Sequence, residues 1–161
     1  LVGPDVLTGP DCAAVYADQW LRMPHRHMIT VLADLEHGMI GSGLIADGAL
    51  YRGGHGAAGE LWDPRPPLGA VSGTGGSGID GDGITRLAYH IATAQSILDP
   101  QITVVCNGRG AEADENIELQ RKLAEAGARG HLTVLEESRA PVLGACLLAA
   151  REYEERFVRR N

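Results

Sequence analysis

The sequence predicts an α/β layered fold, and three observations support that prediction. Apolar segments of strand length alternate with segments of helical periodicity along the chain, as expected when helices pack on a sheet. One strong hairpin signal lies early in this order. Glycine is frequent and aromatic residues make up only 4% of the 161 residues, which suits tight turns and closely packed helices in a single domain.

The first half of the chain contains a helix, a strand and a hairpin. Residues 11–20 are rich in small side chains and predict a helix. Residues 29–35 form a continuous apolar run of strand length, which is typical of a buried strand. Two short apolar runs, 43–46 and 49–51, flank Asp47-Gly48, a dipeptide that strongly favours a two-residue hairpin turn.

Proline and glycine interrupt this pattern in the middle of the chain. Residues 63–67 are rich in proline and 72–83 in glycine, serine and aspartate, which predicts a flexible stretch at about 63–83. The remaining elements alternate regularly: helix 84–98, strand 102–106, helix 112–126, strand 132–135 and a last helix from about Pro141. The apolar stripe of the last helix consists of Val142, Cys146, Ala149, Tyr153 and Phe157.

Composition and charge exclude several classes of protein. The formal charge of −7 at pH 7 argues against nucleic-acid binding by this chain, because phosphate contact needs a basic face. No run approaches the roughly 18 apolar residues of a membrane span. The three cysteines form no Cys-x-x-Cys pair, which predicts a reduced, cytoplasmic protein without disulfides or structural zinc. Because the sequence opens with Leu1 and has no signal-peptide pattern, we expect an excerpt of a longer chain.

Residues 36–61 are the most informative segment. They read EHGMIGSGLIADGALYRGGHGAAGEL and place eight glycines around the hairpin signal. Glycine at this density serves tight turns and close approach of the backbone to a ligand. The segment therefore points to a small-molecule site, with a sugar as the leading candidate.

This segment resembles the ROK family of sugar kinases and sugar-responsive repressors. Residues 50–61 match the family pattern LYRG-x-HG-x-AGEL. Further matches follow in chain order: residues 10–14 at the family's Asn-Asp-Ala-Asn-Ala segment, 98–108 at "LDP" followed by "VVLGGG", and Gly144-Ala145 at its "GALGAA" helix. The resemblance implies a single partial domain over residues 1–161. It would be the C-terminal lobe of an actin-like, RNase H-like fold, with a mixed sheet flanked by helices. The N-terminal lobe and any DNA-binding domain would lie upstream.

The resemblance also implies roles for individual residues. Asp11 takes the position of the general base that accepts a proton from the sugar hydroxyl, and Glu60 that of a glutamate that binds sugar hydroxyls. His55 is a further candidate sugar contact. Gly41, Gly43 and Gly108 take positions of the family's phosphate-binding loops.

Each of these residues also has a structural explanation. Asp11 is placed to cap the first helix, and Glu60 can be solvated or bonded locally. Gly41 and Gly43 can allow a bend between strands, and His55 can lie at the hairpin edge. The sequence leaves these alternatives open.

Departures from the family pattern argue against catalysis. Pro10 and Ala13 replace the asparagines that flank the family's aspartate. Trp62-Asp63 stands where the family has Gly-His followed by zinc-binding cysteines, so neither zinc nor another metal is expected. Asn107 and Arg109 replace glycines of the nucleotide-side loop, and the first phosphate loop belongs to the absent lobe. This chain alone is therefore not expected to phosphorylate a sugar.

Three functions remain open. The first is the sugar-sensing and self-association part of a ROK-type transcriptional regulator, which binds a sugar effector, forms a homo-oligomer and reaches DNA only through an upstream domain. The second is a fragment of a ROK-type kinase that phosphorylates a hexose or N-acetylhexosamine; only this alternative requires ATP and Mg²⁺, and no other cofactor is expected. The third is a dimerisation scaffold that binds no sugar. The departures favour the regulator.

Overall fold

The computed structural model describes residues 7–23, 25–34, 39–59, 81–107 and 113–158. These residues form helices and strands in the predicted alternation. In chain order the elements are α1 (Gly9–Leu21), β1 (Met28–Asp34), β2 (Met39–Ala46), β3 (Ala49–Tyr51), α2 (Gly81–Leu98), β4 (Ile102–Asn107), α3 (Ala113–Glu125), β5 (His131–Leu135), α4 (Ala140–Tyr153) and a π-helical turn (Glu154–Val158) that continues α4. The predicted helices and strands are all confirmed.

β1 lies at the centre of a five-stranded mixed sheet with the order β3-β2-β1-β4-β5. It pairs antiparallel with β2 and parallel with β4, and β4 pairs parallel with β5. Ile29 and Val31 contribute to the core on one face, Met28 contributes to the core on the other, and all three are fully buried. This two-sided burial explains why every residue of β1 except Thr30 and Asp34 is apolar.

Helices cover both faces of the sheet. Ile91 of α2 and Leu119 of α3 belong to the core on one face. On the other face, α1 and α4 contribute mainly alanines, such as Ala13, Ala17 and Ala140. Because alanine is small, α1 packs close to the sheet, and the candidate site is built on this closely packed face.

The Asp47-Gly48 turn joins β2 and β3, as the sequence predicts. Both residues have positive φ, 53° and 77°, which is the backbone geometry of a type I′ turn. The Asp47 side chain accepts a 2.7 Å hydrogen bond from Arg26 Nη2, and both side chains are largely exposed. The hairpin is thus specified by its own two central residues.

Three predicted boundaries are wrong in detail. β2 begins at Met39, four residues before the predicted start at Gly43. Residues 81–83 are helical and open α2 rather than ending the glycine-rich stretch; residues 63–80 lie outside the described residues. Asp11 is not the N-cap of α1, because the helix begins at Gly9 and Thr8 caps it. Pro10 explains the earlier start, since a proline in the first turn has the backbone angle of a helix and loses no helical hydrogen bond.

The apolar stripe of α4 faces solvent. Val142 is 64% exposed, Tyr153 61% and Phe157 60%. The opposite side packs on α1, where a Cβ added to Gly144 would lie 1.7 Å from the Cys12 carbonyl oxygen. A contact this close admits only the smallest residues, so the larger apolar side chains of α4 occupy its outer face.

Among the described residues, no helix has the length and hydropathy of a membrane span.

The buried thiol of Cys106 on β4 provides a pH-dependent term in stability. Burial raises the pKa of Cys106 from 9.0 to about 12. Between these values the unfolded thiol is ionised and the folded thiol is not, so the folded state binds more protons and stability falls as pH rises. Between about pH 8 and pH 10.5, we expect the free energy of unfolding to fall by about 2 kcal/mol more in the wild type than in Cys106→Ala. Urea unfolding at both pH values measures this difference.

The control is Cys146→Ala, because Cys146 is exposed. This variant should keep the pH dependence of the wild type. An unchanged pH dependence in Cys106→Ala would contradict the prediction.

Candidate functional site

The first turn of α1 holds the carboxylate of Asp11 in a capping box. The Thr8 backbone N–H donates to Asp11 Oδ2 at 3.1 Å, and the Asp11 backbone N–H donates to Thr8 Oγ1 at 3.3 Å. Backbone N–H groups in the first turn of a helix have no helical partner, and that of Asp11 is one of them. The capping box supplies the missing hydrogen-bond acceptors. The Asp11 side chain is only 3% exposed. A buried carboxylate therefore lies at a helix N-terminus, where the helix dipole favours negative charge.

Arg52, the residue after β3, brings a positive charge to this carboxylate. Its Nε lies 3.5 Å from Asp11 Oδ2, and its side chain is 20% exposed. This distance is that of an ion pair and exceeds a normal N–H···O hydrogen bond. Because both groups are largely removed from water, their attraction offsets part of the cost of burying the carboxylate. The pair links α1 to the edge of the sheet.

Gly41 and Gly43 of β2 lie directly beneath the same first turn. A Cβ on Gly41 would lie 2.6 Å from Pro10 Cγ, and a Cβ on Gly43 would lie 2.2 Å from the Pro10 carbonyl oxygen and 2.7 Å from Ala14 Cβ. Residues 39–45 of β2 pair with β1 without a break, so the strand has no interruption at these positions. Close packing of α1 on β2 accounts for both glycines, and their role in binding phosphate stays a prediction.

The chain leaves the sheet at Arg52 and returns to it at Gly59. The Ala58 N–H donates to the Arg52 carbonyl oxygen at 3.1 Å, which closes the turn. The Ser42 N–H donates to the Gly59 carbonyl oxygen at 2.7 Å, which attaches the end of the turn to β2. Three glycines of this turn have φ between 68° and 83°, a region that glycine adopts readily. The 52–59 turn is thus anchored at both ends.

The structure brings several of the predicted site residues to one place. Asp11 lies at the N-terminus of α1, Gly41 and Gly43 lie beneath that turn, and the 52–59 turn ends on the β2 residue between the two glycines. These segments are far apart in sequence and meet only because α1 and the 52–59 turn both contact the middle of β2. Their convergence defines the candidate site.

The other predicted residues are not joined to this cluster. His55 is exposed on the 52–59 turn, and no contact between His55 and Asp11 is present among the described residues. Glu60 and Gly108 lie outside the described residues. Glu60 directly follows Gly59, the residue that attaches the turn to β2.

The chemistry of the site comes from a carboxylate, a guanidinium and backbone groups. Burial and, to a lesser extent, the negative charge of Asp11 raise the pKa of the Cys12 thiol, so Cys12 is not a nucleophile at neutral pH. Within the described ranges, no group of three or more His, Cys, Asp or Glu side chains could hold a metal ion. Hydrogen bonding to the hydroxyl groups of a polar ligand is the chemistry that this set of groups supports.

Sequence reasoning had not singled out Thr8 and Arg52. The Thr8-x-x-Asp11 pattern is a variant of the capping box, in which a glutamate usually occupies the fourth position, and it could have been found. Arg52 lies inside the glycine-rich motif, but its partner lies in α1, far earlier in the chain. No local signal pairs it with Asp11.

Several solved structures with a similar arrangement of helices and strands are ROK proteins. A ROK family glucokinase from Streptomyces griseus, solved with glucose and AMPPNP, has a TM-score of 0.65 at 16% identity, covering 91% of this chain and 68% of its own. A ROK family protein from Streptococcus pneumoniae in complex with sucrose has a TM-score of 0.67 at 16% identity, covering 91% and 65%. The chain has the fold of the ROK sugar kinases. The predicted actin-like α/β fold with a mixed sheet is confirmed.

The ROK fold is shared by proteins of different function. A ROK family transcriptional regulator, a homologue of the E. coli MLC protein, has a TM-score of 0.53 at 15% identity, covering 91% of this chain and 51% of the regulator. The chain therefore spans about two thirds of the two sugar-bound proteins and about half of the regulator. No protein-family model and no curated protein sequence matches the chain. Since one fold hosts several functions, function has to be argued from the site.

Proposed function

We propose that this chain is the sugar-sensing part of a ROK-type transcriptional regulator. A sugar binds at the site formed by Asp11, the middle of β2 and the 52–59 turn. An upstream domain contacts DNA, and the protein associates with itself. The likeness to a solved ROK regulator supports the proposal, and so does the state of Asp11.

The engagement of the Asp11 carboxylate is the observation on which the proposal rests. This carboxylate is 3% exposed and already holds the Thr8 N–H and the Arg52 guanidinium. A general base must take a proton from the substrate hydroxyl during the reaction. With these contacts on Oδ2, the other oxygen of the carboxylate can accept a hydrogen bond from a sugar hydroxyl. The proposal therefore assigns Asp11 a role in binding the sugar.

The residues around Asp11 support the same conclusion. Pro10, in place of the expected asparagine, offers no side-chain amide to a sugar and packs on Gly41 instead. Ala13, in place of the second asparagine, is fully buried in the core beneath α1. Both substitutions favour the packing of α1 and remove polar groups that would contact a ligand.

In this proposal the sugar acts by selecting one arrangement of two lobes. The ligand lies between this chain and the upstream lobe and binds one relative orientation more tightly than the other. Its binding then shifts the population of orientations and hence the affinity of the DNA-binding domain for its operator.

Calorimetric titration of the full-length protein with hexoses and N-acetylated hexosamines tests the proposal. We expect sugar binding that ATP with Mg²⁺ leaves unchanged. Glu60→Ala should weaken binding by about tenfold or more, because a hydrogen bond to a charged group contributes roughly 1.5–3 kcal/mol. Glu154→Ala, which removes an exposed glutamate from the π-helical turn, is the control and should bind as the wild type does. The bound sugar should also change operator affinity in a gel-shift assay. Absence of heat with every sugar would refute the proposal in favour of a dimerisation scaffold.

The kinase alternative has one specific support. The ROK glucokinase and a ROK hexokinase from Thermus thermophilus give TM-scores of 0.65 and 0.63, against 0.53 for the regulator. In the same titration, binding that ATP strengthens, with sugar phosphate as the product, would establish a kinase. Self-association and a cytoplasmic location stay predictions from the sequence.

A further inference from the structure

We infer that Arg52 is a positioning residue for Asp11, an inference that rests on the sugar-binding function proposed above. Arg52 holds the carboxylate through one oxygen, so that the other oxygen is presented to a sugar hydroxyl. It also couples this carboxylate to the turn that leads to Glu60.

The contacts between the carboxylate and the described residues involve only one of its oxygens. Among the described residues, Asp11 Oδ2 takes both contacts, from the Thr8 N–H at 3.1 Å and from Arg52 Nε at 3.5 Å. Rotation of the carboxylate about its Cβ–Cγ bond would disrupt both contacts, so the orientation of its plane is fixed. Oδ1 keeps its capacity to accept hydrogen bonds from a ligand.

Arg52 is itself held by the backbone. It follows β3, where Tyr51 pairs with Leu44 of β2. Its carbonyl oxygen accepts the Ala58 N–H at 3.1 Å, and its side chain is 20% exposed. A guanidinium that extends from a paired strand and a closed turn is a rigid support for a ligand-binding carboxylate.

The same residue links two segments that contact β2 independently. The ion pair attaches Arg52 to the first turn of α1, and the turn that begins with Arg52 ends at the hydrogen bond between Ser42 and Gly59. Arg52 therefore connects the Asp11 carboxylate to the 52–59 turn. This coupling explains why a sheet-edge arginine reaches a helix cap.

A double-mutant cycle on sugar affinity tests the inference. The full-length wild type, Arg52→Gln, Asp11→Asn and the double variant are titrated with each sugar that binds the wild type. We expect each single variant to lose about tenfold or more in affinity, as is usual when a partner that orients a ligand-binding group is removed. The double variant should bind no more weakly than the weaker single variant, because Arg52 acts through Asp11.

Conservative and matched variants separate positioning from a merely structural role. Arg52→Lys keeps the charge beside Asp11 and should retain affinity within about threefold. Arg26→Gln removes another arginine paired with an aspartate, but its partner Asp47 is 73% exposed, and binding should be unchanged. If Arg52→Gln does not fold, Arg52→Met, which keeps an apolar stem, replaces it in the cycle.

The outcomes distinguish this inference from the proposed function. The role of Arg52 would be overturned if Arg52→Gln bound sugar as tightly as the wild type. It would also be overturned if the losses in affinity of the two single variants multiplied in the double variant. Either result would leave the sugar-sensing function intact. Failure of the wild type to bind any sugar would overturn both.

Discussion

Gly59→Ala is expected to lower the free energy of unfolding by about 3 kcal/mol and to abolish sugar binding. An added Cβ would lie 1.9 Å from the Ser42 carbonyl oxygen, which belongs to a paired strand and has little freedom to move. Gly59 also has φ +83°, where alanine is strained by roughly 1–2 kcal/mol. The 2.7 Å hydrogen bond from Ser42 to Gly59 would be lost when the turn moves away. Because Glu60 is the next residue in the chain, we expect its proposed contact with the sugar to be lost as well.

Urea unfolding and sugar titration of the full-length variant measure these two effects. Gly54→Ala is the matched control, because Gly54 lies in the same turn and a Cβ there would meet no atom within 4 Å. The control should stay within about 0.5 kcal/mol of the wild type and bind sugar normally. Equal stability of Gly59→Ala and Gly54→Ala would show that the turn does not pack against the backbone of Ser42.

Gly144→Ala is expected to destabilise the protein by about 2–4 kcal/mol, although alanine favours helices over glycine by about 1 kcal/mol. The added Cβ would lie 1.7 Å from the Cys12 carbonyl oxygen and 2.5 Å from its carbonyl carbon. Both atoms belong to the backbone of α1, so no side-chain rotation relieves the overlap and the two helices must separate. The cost of this separation exceeds the gain in helix propensity. The net effect therefore has the opposite sign to that of an ordinary glycine-to-alanine change in a helix.

Urea unfolding of Ala145→Gly measures the effect of helix propensity alone, without a steric overlap. Ala145 is exposed on α4, so this control should lose only about 1 kcal/mol. A Gly144→Ala variant more stable than the wild type would mean that α1 and α4 are not in contact at this position. Because α1 also carries Asp11, Gly144→Ala should weaken sugar binding as well.

The elements of the fold could be predicted because their signals are local. The apolar run of β1, the Asp47-Gly48 turn and the helix end at Gly127 each depend on residues within a few positions of one another. The start of α1 was misplaced for a local reason too. Thr8 competes with Asp11 as the cap, and the first-turn proline lets the helix begin earlier.

The candidate site could be predicted only in part. The glycine-rich motif and the resemblance predict Asp11, Gly41 and Gly43 as site residues, and these residues are close together in the structure. Arg52 could not be paired with Asp11 in advance, because their contact depends on how the 52–59 turn folds back along β2. Likewise, periodicity identified the apolar stripe of α4 but not the direction in which it faces.

Local patterns in this chain are sufficient for its order of helices and strands, its hairpin and its class of fold. They reflect backbone preferences and the period at which side chains repeat, which act over a few residues. The close approach of α1 to β2 and α4, the burial of the Asp11–Arg52 pair and the solvent exposure of the α4 stripe arise only when distant segments meet. The reason is steric: a glycine permits close contact between backbones, but which backbone fills the space is settled by packing across the whole domain.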